Sequence, residues 1–175
     1  MELVRTCTRC SFDVSLDVRP ISESNFDPRI MFVADTPGAR SSGPSNGSRL
    51  DHPLIVEARK RAGLENAYGT YLVKCRYPEQ MSTALSFAKC IDFLRQEIYI
   101  LQPQVIVTIG QTVQFDDSGK IHVLGFPDLI REFVDPHIAV RSTIDPEEIR
   151  VGKEDGKDTL QKFFDQYAAI APLIH

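Results

Sequence analysis

Four cysteines constrain the fold of this chain more than any other feature of the sequence. Cys7 and Cys10 form a close pair, Cys75 and Cys90 follow singly, and the 175 residues contain no other cysteine. Four thiols without a spare one indicate a closed site with four ligands. Such a site would bind the N-terminal segment to two distant parts of the chain.

Three chemical states are open for these cysteines. A [4Fe-4S] cluster and a structural zinc ion both accept four thiolates. Zinc sites usually use two short cysteine knuckles, whereas only Cys7 and Cys10 form one here, and this difference favours the cluster. Free thiols or disulfides are the third possibility. Because the charged residues 1–5 do not resemble a signal peptide, we expect a cytoplasmic protein rather than a secreted one.

The length and composition indicate one ordinary globular domain. With 42% hydrophobic and 25% charged residues, the chain can form a single domain over residues 1–175, in which residues 1–29 are a cluster-binding N-terminal loop. No apolar run approaches the roughly 20 residues that span a bilayer, so we expect no membrane insertion. The net charge of -4 argues against a protein whose main task is to coat nucleic acid.

Basic residues nevertheless flank the cysteines. Arg5 and Arg9 surround the first pair, and Lys74 and Arg76 surround Cys75. These charges would either form a positive surface patch or hydrogen-bond to an anionic cluster and stabilise it.

Apolar runs and helical periodicity predict the order of the elements. A helix is expected from an N-cap at Asp51 to a stop at Gly63, and two longer helices are expected at about 83–102 and 155–170. The strands are predicted at residues 29–34, 68–73, 105–109 and 137–143. This alternation predicts a three-layer α/β/α fold with a central, mainly parallel four-stranded sheet. Ligands of such sheets bind beyond the carboxyl ends of the strands.

Several motifs, taken in order, resemble one family. They are the Cys7-x2-Cys10 pair, Ile-Met-Phe-Val-Ala-Asp-Thr-Pro-Gly at 30–38, Val-Lys-Cys-Arg at 73–76, the 14-residue gap to Cys90, and Gln-Val-Ile-Val-Thr-Ile-Gly-Gln-Thr at 104–112. This combination resembles the iron-sulfur (family 4-like) uracil-DNA glycosylases, and the chain looks like a divergent member of the uracil-DNA glycosylase superfamily. The resemblance implies DNA binding, base excision in DNA repair, and a [4Fe-4S] cluster held by the four cysteines.

The resemblance also assigns a first active-site motif. The family's Gly-Glu-Ala-Pro-Gly turn matches residues 34–38, so Asp35 stands at the acidic position that steers the attacking water. Thr36, Pro37 and Gly38 would then line the base pocket. Without the resemblance, Asp35 reads equally well as a turn aspartate that bonds nearby backbone N-H groups.

Three family positions are substituted. Ser45 stands where the family has an aromatic residue that stacks on uracil, and Tyr71 stands where it has an asparagine that reads the uracil edge. Asp145 aligns with the histidine of the final motif, although a shifted register would make His137 that residue. Tyr71 would either stack on a larger base or fill the pocket as a packing residue.

These substitutions change the expected substrate. Departing uracil carries negative charge that a hydrogen-bond donor must meet, and an ionised Asp145 would repel that charge. We therefore expect release of a damaged or modified base that is flipped out of DNA, with Arg40, Arg49 and Arg76 contacting the phosphates. The alternative is a catalytically inactive member that binds DNA or a protein partner.

Overall fold

The computed structural model describes part of the chain in detail. The described residues are 7, 26–35, 49–74, 83–109, 114–115, 121–122, 126–144, 146, 149 and 154–174. Within them, the strands are β1 (Asp27–Ala34), β2 (Ala67–Tyr71), β3 (Val105–Ile109), β4 (Gln114–Phe115), β5 (Ile121–His122) and β6 (Ala139–Thr143). The helices are α1 (Pro53–Arg61), α2 (Thr83–Leu101), α3 (Phe126–Arg131) and α4 (Glu154–Ala168).

The central sheet has four strands in the order β2-β1-β3-β6, and all its neighbouring strands are parallel. This confirms the predicted sheet. Residues 30–34 of β1 and all of β3 are buried, as expected for strands covered on both faces. β4 and β5 form a separate antiparallel pair, which the sequence did not predict.

Two hydrophobic clusters cover the two faces of the sheet. On one face, Phe32 and Val107 of the sheet pack with Ile55 of α1 and with Phe163 and Tyr167 of α4. The Phe32 and Tyr167 rings stack there with centroids 5.8 Å apart. The helices of that layer therefore come from both ends of the described chain.

On the other face, Met31 and Ile106 pack with Leu94 of α2 and Ile130 of α3. Cys90, Leu94 and Ile98 are spaced four residues apart and are all buried, so they form the inner face of α2. The two layers of helices around one sheet are the predicted three-layer α/β/α fold.

The start of α1 differs from the predicted one. His52, rather than Asp51, is the N-cap, because its Nδ1 atom accepts a hydrogen bond from the backbone N-H of Leu54 at 3.3 Å. Asp51 lies in a short 3-10 turn, Arg49–Asp51, that precedes the helix. The predicted stop is confirmed, since α1 ends at Arg61 and Gly63 adopts a positive φ of 68°.

A buried arginine joins α1 to the loop before β2. Arg59 is 4% exposed, and its guanidinium donates to the carbonyl oxygens of Leu64, Glu65 and Ala67 at 3.3, 2.7 and 3.0 Å. The same group lies over the Phe32 ring, 5.0 Å from its centroid. Burial lowers the pKa of Arg59, and its hydrogen bonds compensate for the water it loses. Across the described ranges, each helix is too short or too polar to cross a membrane.

Candidate functional site

The carboxyl ends of the four parallel strands lie level with one another. Ala34, the last residue of β1, pairs with Tyr71 of β2 on one side and with Ile109 of β3 on the other. Ile109 in turn pairs with Thr143, the last residue of β6. This edge is where ligands of parallel sheets bind, so it is the candidate site.

Asp35 is the first residue beyond β1 at this edge and is half-buried. Its position is fixed by the neighbouring chain, because Leu72 donates its backbone N-H to Ala34 O at 2.8 Å and Val73 donates to Asp35 O at 2.9 Å. The parallel ladder between β1 and β2 is thus extended past the strand ends. Thr36, Pro37, Gly38, Arg40 and Ser45 lie outside the described residues.

Tyr71 is the last residue of β2, the outermost strand at this edge of the site. Its side chain is 4% exposed and packs in the cluster that contains Ala34, Ile55 and Ile109. The packing interpretation of Tyr71 fits this burial. Stacking on a base would require the ring to be uncovered.

Lys74 follows three residues later and is also buried, with an exposed fraction of 1%. Its Nζ atom donates to Thr70 Oγ1 at 2.6 Å and to Glu97 Oε2 on α2 at 2.7 Å. Burial lowers the pKa of Lys74, and the Glu97 carboxylate opposes that shift. The proposed positive surface patch therefore does not include Lys74.

Two of the four cysteines, Cys7 and Cys90, are among the described residues. Cys90 is 3% exposed and packs in the same cluster as Leu72 and Val73, while Cys7 is half-buried. Cys90 also interacts electrostatically with the Lys74 ammonium. Among the described residues, no group of three or more His, Cys, Asp or Glu side chains could hold a metal. Cys10 and Cys75 lie outside that set.

The surroundings of Cys90 nevertheless suit a thiolate-bound metal group. The segment 72–74 leads directly to Cys75 and packs against the helix that carries Cys90. Apolar neighbours and one buried cation are a favourable environment for an anionic group with thiolate ligands. The described surroundings of Cys90 therefore fit a thiolate ligand at this position.

Comparison with known families identifies the larger group. The model of the uracil DNA glycosylase superfamily matches residues 21–125, which include β1, β2, α2 and β3. The chain belongs to the uracil-DNA glycosylase superfamily. The match covers both Asp35 and the Val-Lys-Cys-Arg segment on which the sequence resemblance depended.

Two curated members of the superfamily are similar to this chain. The type-4 uracil-DNA glycosylase of Thermotoga maritima is 32% identical over 130 residues, which are 70% of this chain and 67% of the relative. The type-4 uracil-DNA glycosylase of Pyrobaculum aerophilum is 28% identical over 115 residues, which are 62% of this chain and 58% of the relative. The second match thus spans less than two thirds of that relative.

Asp145 and His137 were the two predicted candidates for the histidine position of the final motif, and they lie at different places in the sequence of the fold. His137 precedes β6 and is exposed, beside a groove that Gln104, Asp135 and Leu173 also line. It therefore lies at the amino end of the strands, at the edge opposite Asp35. Asp145 follows the carboxyl end of β6 in sequence, and its own placement is outside the described residues.

The basic residues predicted to contact DNA are only partly described. Arg49 lies in the 3-10 turn before α1, and this turn packs against β1 through the buried Leu50. Arg76 lies outside the described residues, as does Arg40. Their contact with DNA stays a prediction.

The sequence interpretation missed Glu97. A single acidic residue seven positions after Cys90 lies on the inner face of α2, where an unpaired carboxylate would be costly. An acidic residue on the inner face of a helix indicates that a buried cation lies opposite, and Glu97 was that signal in the sequence.

Proposed function

We propose that this chain is a divergent iron-sulfur DNA glycosylase that binds DNA and hydrolyses the N-glycosidic bond of a flipped, damaged or modified base. The names of its relatives support a DNA glycosylase-like function at the level of the superfamily. The observation that carries the proposal for this chain is the position of Asp35. It is a half-buried acid, fixed by backbone hydrogen bonds at the carboxyl edge of the sheet.

In the proposed reaction, the Asp35 carboxylate orients a water molecule toward C1′ of the flipped nucleotide and accepts its proton. The C1′-O bond forms and the C1′-N bond breaks. The electron pair of the broken bond leaves with the base, which takes up a proton. Asp145, which follows β6, is proposed to face the departing base as a neutral carboxylic acid that donates a hydrogen bond, because an ionised carboxylate would repel the charge on that base.

The four cysteines Cys7, Cys10, Cys75 and Cys90 are proposed to hold a [4Fe-4S] cluster, with zinc as the alternative metal. Such a group would supply cross-links between the N-terminal loop, the end of β2 and α2, and no chemical step. Arg40, Arg49 and Arg76 are proposed to neutralise phosphates beside the flipped nucleotide.

The substrate is proposed to differ from plain uracil because Ser45 and Tyr71 replace the family's stacking and edge-reading residues. Serine leaves more room than an aromatic ring, and the buried Tyr71 lacks the amide with which an asparagine would read the uracil edge. Both changes favour a base other than uracil.

A panel of duplexes tests this function. Each duplex carries one deaminated, oxidised or alkylated base, and abasic sites are counted by strand cleavage in alkali, with an undamaged duplex as the control. We expect release of at least one modified base, faster than release of uracil. Absence of abasic sites across the panel, with the metal content intact, would exclude the enzymatic function.

A second candidate function is a catalytically inactive member that binds DNA or a protein partner. The burial of Tyr71 favours it, since a ring that is 4% exposed fills space that a base would otherwise occupy. This function predicts salt-dependent DNA binding or capture of a partner, without base release from any duplex.

A further inference from the structure

A buried ion pair joins the end of the sheet to α2. The Lys74 side chain is 1% exposed and that of Glu97 is 14% exposed, with 2.7 Å between Nζ and Oε2. Thr70 supplies a second acceptor for the ammonium at 2.6 Å. Tyr68, two residues before Thr70 on the same face of β2, completes a buried polar cluster of Tyr68, Thr70, Lys74 and Glu97.

The two charges belong to the two segments that carry or lead to Cys75 and Cys90. Lys74 immediately precedes Cys75. Glu97 lies seven residues after Cys90 on α2, so both residues are on the same face of the helix. Leu94 lies between them on that face and is fully buried.

Stability alone does not explain a charge pair at this position. Removing two charges from water is expensive, and apolar residues of similar volume often stabilise a core as well or better. Apolar contacts tolerate many arrangements, whereas this ion pair has one favourable geometry. Lys74 Nζ must donate to Thr70 and to Glu97 at the same time.

We propose that the Lys74–Glu97 pair is a positioning device that fixes the segment leading to Cys75 against the helix that carries Cys90. Its function is to present these two cysteines in one register to their metal group. Lys74 and Glu97 are positioning residues, since they act through the cysteines. This inference rests on the metal site included in the proposed function, and it adds the residues that set its geometry.

The test compares metal release from anaerobically purified variants of the full chain. Glu97→Gln removes one charge but keeps an acceptor oxygen for Nζ. The double variant K74M/E97Q removes both charges and leaves no unpaired ion in the core. Glu57→Gln is the matched control, because Glu57 pairs with Arg61 on the surface of α1.

Iron release to a ferrous chelator and loss of visible absorbance are followed together, and far-UV circular dichroism measures folding. Substitution of residues that orient metal ligands typically weakens metal affinity about 10- to 100-fold. We therefore expect iron release on the order of tenfold faster in E97Q and in the double variant. E57Q should release iron at the wild-type rate. A role in stability alone predicts the wild-type rate in the double variant, which would overturn the proposal.

Thr70→Val covers the case in which the charge variants do not fold. It keeps both charges and removes one hydrogen bond to Nζ. Faster release from folded T70V supports the proposal, and the wild-type rate overturns it. A wild-type chain that binds no metal also overturns it. The metal-release assay contains no DNA, so its result does not depend on whether the duplex panel shows base release.

Discussion

Val73 donates its backbone N-H to the carbonyl oxygen of Asp35, with 2.9 Å between the nitrogen and the oxygen. One residue further along the chain is the buried Lys74, and the next is Cys75. The candidate catalytic acid and a candidate metal ligand are therefore connected through two buried residues. A change in packing at either end is expected to reach the other.

The burial of Tyr71 predicts a large effect on stability. Replacing a buried aromatic residue with alanine typically costs about 3–5 kcal/mol, so Tyr71→Ala should lower the free energy of unfolding by that amount. Denaturant titration measures the change. Tyr99→Ala is the matched control, because Tyr99 is 78% exposed and its loss should change stability by less than about 0.5 kcal/mol. Equal effects of the two variants would contradict the assignment of Tyr71 to the core.

Arg59 predicts a destabilisation that arises from hydrogen bonds. Arg59→Met keeps most of the side-chain volume but removes the donors to three backbone carbonyl oxygens. A buried polar group that loses its partner costs about 1–3 kcal/mol, and thermal or denaturant unfolding should show a loss of at least that size. Lys60→Ala, at the adjacent exposed position, should leave stability unchanged. Wild-type stability of R59M would show that the guanidinium contacts are not needed.

Tyr68 predicts a specific loss of stability in alkali. Its pKa is raised, first by burial and then by the Glu97 charge. The folded chain therefore keeps the phenol proton at a pH where the unfolded chain has lost it. The stabilisation from Tyr68 is complete below the unfolded pKa of about 10 and decreases as pH rises above it.

The variant Tyr68→Phe cannot titrate, so it isolates this contribution. Above about pH 10, wild-type stability should fall faster than that of Y68F by about 1.4 kcal/mol per pH unit. Urea titrations at several alkaline pH values measure both slopes. Parallel stability curves would mean that the Tyr68 phenol titrates normally in the folded protein.

The sequence predicted the layers of the fold because they depend on local patterns. The apolar run ending at Ala34 and the helical spacing of Ile91, Leu94 and Ile98 each indicate one element without knowledge of the rest. The sequence predicts Asp51 as the cap of α1 because aspartate is a preferred capping residue and Pro53 follows in the first turn. His52 supplies the cap instead, since the 3-10 turn places Asp51 before the helix start.

The site was less predictable because its contacts join distant residues. Lys74 and Glu97 are 23 positions apart, and neither the charge of Lys74 nor its neighbour Cys75 indicates a partner on α2. The sequence instead allowed two roles for Lys74, in a positive surface patch or in a hydrogen bond to an anionic cluster. Similarly, the position of Tyr71 at a strand end allowed both stacking and packing, and only the arrangement of α1 and α4 over that face shows how deeply the ring is covered.

Asp35 is proposed to activate the water that releases the base, and single-turnover release from the best duplex of the panel measures this role. General base catalysis typically contributes 10²- to 10⁴-fold, so Asp35→Asn should slow release by about 100-fold or more while DNA is still bound. Asp158→Asn, an exposed position on α4, is the matched control and should react at the wild-type rate. Release by D35N at the rate of D158N, from a folded chain with its metal retained, would show that the Asp35 carboxylate takes no part in base release.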